Sequence, residues 1–186
     1  MVALNALTLE LTFFPVDVNR WTDLVQLFEC RGGPHYCWCM VWRRMIPGKD
    51  RSKKTDKKTS LEALVKKGMP IGILGYKDQT PIAWCSVGPR NSFRNLGGDP
   101  GLSNVWSLVC FYVKREHRGE TIAQKLLEEA IRYAQVNGAD YLEASPVQSG
   151  SPSYRFMGFL SLFKRSGFKF SGKVGSRRHI VIKRLS

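Results

Sequence analysis

The residues best placed to do chemistry are Lys114-Arg115-Glu116-His117-Arg118-Gly119, a basic, glycine-ended turn. Before it runs VWSLVCFYV at 105–113, a continuous apolar stretch that reads as a strand buried on both faces. After it, Ile122, Leu126, Leu127, Ala130, Ile131 and Ala134 recur at helical spacing. The spacing predicts a helix over 120–137, with Gly138 as its C′ residue. A helix that opens after such a turn presents unpaired backbone N–H groups and the positive end of its dipole, which suit phosphate oxygens. Lys114, Arg115 and Arg118 add positive charge, whereas Glu116 and Glu120 oppose it. A ligand-free surface turn is the competing interpretation.

Three other groups are chemically notable. Glu143 interrupts the apolar strand expected at 141–147, where a carboxylate needs a reason to be: a general base, or a solvent-facing strand position. His35-x-Cys37-x-Cys39, with Cys30 upstream, offers soft ligands, but not at the spacing of structural zinc sites. No metal is expected, and the segment reads as a buried wall that includes Trp38, Met40 and Trp42. Ser86 and Arg90 close a strand, and Arg90 offers a guanidinium to an acceptor carboxylate or simply to water.

The elements that must hold these groups follow from periodicity. Leu7, Leu9, Leu11 and Phe13 alternate as a first strand, and Trp21, Leu24, Val25, Leu27 and Phe28 form a helical stripe that Gly32-Gly33-Pro34 ends. Residues 47–60 read as a polar basic loop, with Ser60 capping a helix through Lys67. Strands at 71–77 and 81–87 make a hairpin, and the Gly/Asn/Pro-rich 88–104 is a loop. A short helix near 159–166 ends at Gly167, and strands at 168–171 and 179–185 close the chain. No repeat or linker divides it, so one domain over 1–186 is expected.

The 186 residues carry 29 Lys and Arg against 15 Asp and Glu, a net charge of +14. Residues 43–67 hold a net +7 and residues 164–186 a net +8, with the body close to neutral. Such zones favour an anionic partner, whether nucleic acid, an acidic surface or a phosphorylated cofactor, or serve solubility alone. No apolar run approaches the ~18 residues that span a bilayer. The first basic residue is Arg20, without the positive start of a signal peptide, and the five cysteines are odd in number. A cytoplasmic protein with reduced thiols and no membrane partner is expected.

Arg118-Gly119-Glu120-Thr121-Ile122-Ala123, with the strand before it, resembles the pyrophosphate-binding turn of the GNAT superfamily of acetyl-CoA-dependent N-acetyltransferases. Arg118 and Ala123 match the two ends of that turn, and Thr121 stands where the middle glycine is usual. Leu162-Phe163-Lys164-Arg165-Ser166-Gly167-Phe168 resembles the family's closing helix and Gly-Phe turn. Tyr36-Cys37-Trp38-Cys39-Met40 and Val87-Gly88-Pro89-Arg90 resemble a subgroup of uncharacterised, bacterial-type acetyltransferases, a likeness that brings no substrate with it.

The resemblance implies an α/β (α+β) fold: a mixed, mostly antiparallel sheet of about six or seven strands flanked by about four helices. It implies acetyl transfer from acetyl-CoA, as co-substrate, to an amine by direct attack. Backbone groups of Phe111 and Val113 would pair with the pantetheine arm, and an N–H near Cys110 to Tyr112 would polarise the carbonyl. Arg118, Gly119, Glu120, Thr121, Ile122 and Ala123 would hold the pyrophosphate. The family's tyrosine acid falls at Phe163, which is assigned to packing against cofactor or core. Tyr154 and Ser161 are the substitutes for the acid, and Glu143 is the candidate base. Cys37, Trp38, Trp42, Ser86 and Arg90 would border the acceptor, a small-molecule or protein amine, in a monomer or homodimer. The rivals are a basic nucleic-acid-binding domain, which lacks a known signature here, and a CoA-binding sensor without catalysis.

Overall fold

The structure is a computed structural model and describes residues 11–119 and 121–186. Leu7, Leu9 and Glu120 therefore lie outside the described residues. Seven strands form one sheet in the order β1-β2-β3-β4-β5-β7-β6. They are β1 (Leu11–Pro15), β2 (Ile73–Lys77), β3 (Thr80–Pro89), β4 (Val105–Val113), β5 (Tyr141–Ala144), β6 (Lys169–Val174) and β7 (Arg178–Arg184). Only the β4–β5 pair is parallel; every other neighbouring pair is antiparallel. Four helices accompany the sheet: α1 (Trp21–Glu29), α2 (Lys54–Lys66), α3 (Ile122–Val136) and α4 (Leu160–Arg165).

The sheet carries a core on each face. On one, Leu126, Leu127, Ala130 and Ala134 of α3 pack with Trp106, Leu108, Leu142 and Phe163. On the other, Leu24, Leu27 and Phe28 of α1 and Leu61 and Val65 of α2 pack with Trp38, Trp84 and Cys110. A helix with one apolar stripe is stable against a sheet face in this way, because burial of the stripe outweighs the loss of chain entropy.

α2 begins at Lys54, well before the expected start, and Ser60 is buried in its middle instead of capping it. Asp56 accepts from the Asp50 N–H and Asp50 from the Ser52 N–H, so the polar residues ahead of the helix form its entry turn. The lysine run hid this helix because its charges occupy a solvated face. Lys58 pairs with Glu29 at 2.7 Å, and Lys57 donates to the Tyr36 carbonyl. The basic zone is also not all surface: Arg43 is 0% exposed, lies over the Phe93 ring and donates to the Ile71 carbonyl and Ser86. No helix among the described residues is long and apolar enough to cross a membrane.

Candidate active site

β4 matches the apolar run 105–113 residue for residue. Its antiparallel register with β3 slips once: Ser86 faces Cys110, but Val87 faces Leu108, so Val109 is an extra residue. A bulge of this kind resets the in–out alternation of a strand. Trp106 and Leu108 accordingly join the α3 core, as do Phe111 and Val113, whereas Val109, Cys110 and Tyr112 join the α1–α2 core.

On its other edge β4 pairs with β5 only from Val105 to Leu108. β5 ends at Ala144, and the chain turns away to a bridge between Val147 and Phe159. Beyond Leu108 that edge of β4 meets no strand among the described residues. The fork leaves a row of backbone donors and acceptors at 109–113, a ready template for an extended ligand.

The fork leads to the N-terminus of α3. Gly119 has φ 90° and Thr121 φ 59°, both left-handed, and the Thr121 carbonyl takes the N–H groups of Gln124 and Lys125. The N–H groups of Ile122 and Ala123 precede the first intrahelical bonds and have no helical partner. A cavity of about 710 Å³ opens there, lined by Arg118, Gly119, Thr121, Ile122, Ala123 and Arg165. Thr121 thus adopts the backbone conformation of a glycine, which costs a non-glycine residue about 1–2 kcal/mol. Arg118 donates from Nε to the Val113 carbonyl at 3.1 Å, fixing its guanidinium at the strand end. Arg165, on α4, is a second cation that the sequence pattern did not single out.

A second, smaller cavity of about 130 Å³ lies on the opposite face, beside the bulge. Tyr36, Cys37, Cys39 and Trp42 line it from one side; Cys110, Phe111 and Tyr112 from β4; and Phe156 from the loop after β5. Among the described residues no histidine or carboxylate lines it. Its thiols interact with one another. Cys39 donates to Cys110 at 3.3 Å and accepts from the Trp84 Nε1 at 3.2 Å. The Cys39 contact and burial push the Cys37 thiol well up; the contact with Cys110 does the same for Cys39. Neither is a thiolate near neutral pH, so neither is poised as a nucleophile. Burial, helped by Cys30, pushes the Tyr112 phenol up to about 12.

The profile of the GNAT acetyltransferase family matches residues 25–159. The chain belongs to that family. Three solved structures share its fold over nearly their whole length. The PaiA N-acetyltransferase from Thermoplasma acidophilum in complex with coenzyme A is 16% identical, at a TM-score of 0.57 over 94% of this chain and 99% of that one. YncA from Salmonella typhimurium, with its cofactor acetyl-CoA, is 17% identical, at 0.59 over 95% and 94%. The ribosomal-protein-alanine N-acetyltransferase from Brucella melitensis is 19% identical, at 0.58 over 94% and 99%. Comparison with curated proteins finds no match.

In this GNAT chain the expected site residues separate into groups. Phe111, Tyr112, Cys37 and Trp42 meet at the smaller cavity, and Val113, Arg118, Gly119, Thr121, Ile122 and Ala123 at the larger. Ser161 lines the larger cavity rather than the acceptor side. Phe163 is 0% exposed, edge-on to Phe111 and Phe168, and lines neither cavity. Trp38 is buried against Trp21 and Phe28, and Ser86 beneath Arg43; neither lines the smaller cavity. Tyr154 stands just outside it, next to Trp42 and Phe156.

Glu143 and Arg90 sit apart from these two cavities and line a third, of about 710 Å³, beside the 88–104 loop. Arg90 donates from Nε to Glu143 Oε1 at 3.0 Å and from Nη2 to Oε2 at 2.6 Å, and Ser107 donates to Oε1 at 2.6 Å. Arg90 Nη1 donates to the Asp99 carbonyl at 2.7 Å. Gly98 lets the 88–104 loop cover the pair, since a Cβ there would fall 2.0 Å from Glu143 Oε2. Glu143 is 3% exposed on a strand flanked by β4 and β7, so it is not an edge position. Arg90 is engaged in this network through Nε, Nη1 and Nη2, with Glu143 as its counter-charge. Among the described residues no cluster of three or more His, Cys, Asp or Glu side chains could hold a metal.

Proposed function

We propose that the chain transfers the acetyl group of acetyl-CoA to the amine of an acceptor bound in the thiol- and aromatic-lined cavity beside Cys110. One observation carries this: the open edge of β4 at 109–113 joins a cavity at the α3 N-terminus to a second cavity on the other face of the sheet.

The residues present fit acetyl-CoA. The N–H groups of Ile122 and Ala123, with Arg118 and Arg165, suit a diphosphate, where backbone donors and the helix dipole act together. The backbone of Phe111 and Val113 suits the amide-bearing arm, which would add to the sheet edge as a strand does. Acetyl-CoA supplies the thioester carbon that an amine attacks.

The chain's own part is positioning and polarity. A β4 N–H next to the bulge, between Cys110 and Tyr112, donates to the thioester oxygen; one well-placed donor of this kind contributes about 3–4 kcal/mol. Tyr112 stays protonated and donates a hydrogen bond to the departing thiolate, which takes up the proton that the nitrogen sheds as the tetrahedral intermediate collapses. With no carboxylate or histidine among the described residues of the cavity wall, the acceptor's proton is lost to water before attack. The apolar wall favours the neutral amine because burial disfavours its ammonium. The raised thiols of Cys37 and Cys39 support direct attack over an acyl-cysteine route. Glu143 is a positioning residue here: its carboxylate is held by Arg90 and Ser107 and braces β4 against β5 and the 88–104 loop.

The test is release of CoA from acetyl-CoA across a panel of primary amines. Turnover with at least one amine, inhibited by CoA itself, is the expected result. CoA binding without turnover on any amine would favour the silent sensor.

A further inference from the structure

Two side-chain donors beside the smaller cavity are buried without a hydrogen-bond partner: Trp42 Nε1 and Arg178 Nη1. They belong to groups in contact, since the Arg178 guanidinium carbon lies 4.6 Å from the Trp42 ring centroid. Tyr154 completes a triangle, its ring 5.7 Å from that carbon and 6.3 Å from Trp42. Buried donors are nearly always satisfied, so two orphans on touching groups point to one missing acceptor. The segment that carries Arg178 has no carboxylate of its own to supply it, because no Asp or Glu occurs after Glu143. Arg178 sits at the start of β7 with a cation over one aromatic face, the arrangement in which a planar guanidinium keeps its fork free for an oxyanion. Desolvation by burial lowers its pKa, against a smaller opposing effect of the Tyr154 phenol.

Trp42 also lines the acceptor cavity, and Arg178, stacked on its ring, lies behind that wall. Tyr154 is the most exposed of the three, at 37%, and is the ring whose rotation would open the pair to a ligand. The cavity itself is of the size that takes about one benzene ring.

We infer that Trp42 Nε1 and Arg178 Nη1 jointly bind an anionic group, carboxylate or phosphate, on an acceptor whose body is apolar or aromatic. This rests on the acetyl-acceptor reading of the cavity and names its substrate class. It moves the anion anchor from Arg90, which Glu143 occupies, to β7.

The experiment is calorimetric titration, with and without saturating CoA, of three amine-free probes: 3-phenylpropanoate, phenylphosphonate and the neutral 3-phenylpropanamide. At least one anion should bind about tenfold or more tightly than the amide, a difference of about 1.4 kcal/mol. A preference for the carboxylate or for the phosphonate identifies which anion the acceptor carries. Arg178→Gln should bring anion and amide within about twofold, and Trp42→Phe, which keeps a ring and removes the N–H, should reduce the preference in part. Equal binding of all three probes to the wild type, no binding of either anion, or a preference that survives in Arg178→Gln would overturn the inference. Failure of the acetyltransferase reading shows separately, as absence of CoA binding in the same titrations while the anion preference persists.

Discussion

Glu143 and Arg90 meet end-on, two nitrogens to two oxygens at 3.0 and 2.6 Å, with the Ser107 hydroxyl on the same carboxylate. The pair ties β5 to the loop that follows β3. A carboxylate held this way is a brace. Replacing it by Glu143→Gln leaves Arg90 without its counter-charge in a largely buried place and should cost about 2–3 kcal/mol, below the ~3–5 kcal/mol of a fully buried pair because Arg90 is partly exposed. The midpoint of the pH–rate profile should stay where it is. Thermal melting and a pH series on the variant check both halves, and a displaced acidic limb would restore Glu143 as a base.

Among the described residues no acid or imidazole lines the cavity proposed for the acceptor, and burial pushes the Tyr112 phenol up to about 12. Rate should therefore rise with pH along one ionisation and then hold level to about pH 10, since Tyr112 keeps its proton over that range. The midpoint should follow the pKa of whichever amine is used. Profiles on two amines of different basicity decide it; a midpoint common to both would mean an enzyme group is the base.

Thr121 holds φ 59° at the N-cap of α3. Thr121→Gly relieves that strain at the expense of extra freedom in the unfolded chain, for a net gain of up to about 1 kcal/mol. CoA affinity should be kept or improved. Chemical denaturation and titration of the variant measure each. A loss of affinity would mean the Thr side chain itself touches the ligand.

Phe163 occupies the position of the family's tyrosine acid but is enclosed by Phe111 and Phe168, and a Cβ on Gly158 would lie 2.9 Å from its ring. A hydroxyl placed there by Phe163→Tyr is expected to lack a partner and to cost about 1–3 kcal/mol. Turnover should not increase. A rise in kcat would show that the hydroxyl reaches the departing sulfur.

Local pattern made part of this molecule legible in advance. The nine-residue run of β4, the stripe of α3 and Gly138 after it all report on neighbours within a turn or a strand, so they appear where expected. α2 was obscured because its lysines look the same in a loop and on a solvated helix face. The bulge at Val109 depends on register with β3, which no single strand encodes. Burial of Ser86 and Trp38, the engaged donors of Arg90 and the contact of Trp42 with Arg178 are relations between segments distant in the chain. Residue type and spacing do not disclose them.

If the N-terminus of α3 holds the diphosphate of CoA as proposed, Ala123→Asp sets a negative charge against it. A carboxylate in the first turn favours the helix dipole, so the fold should be as stable as the wild type or slightly more so. The same charge opposes a diphosphate at the N–H groups of Ile122 and Ala123. Calorimetric titration should show CoA binding weakened about 100-fold or more, roughly 2.7 kcal/mol. An affinity within twofold of the wild type, with the fold intact, would contradict the account.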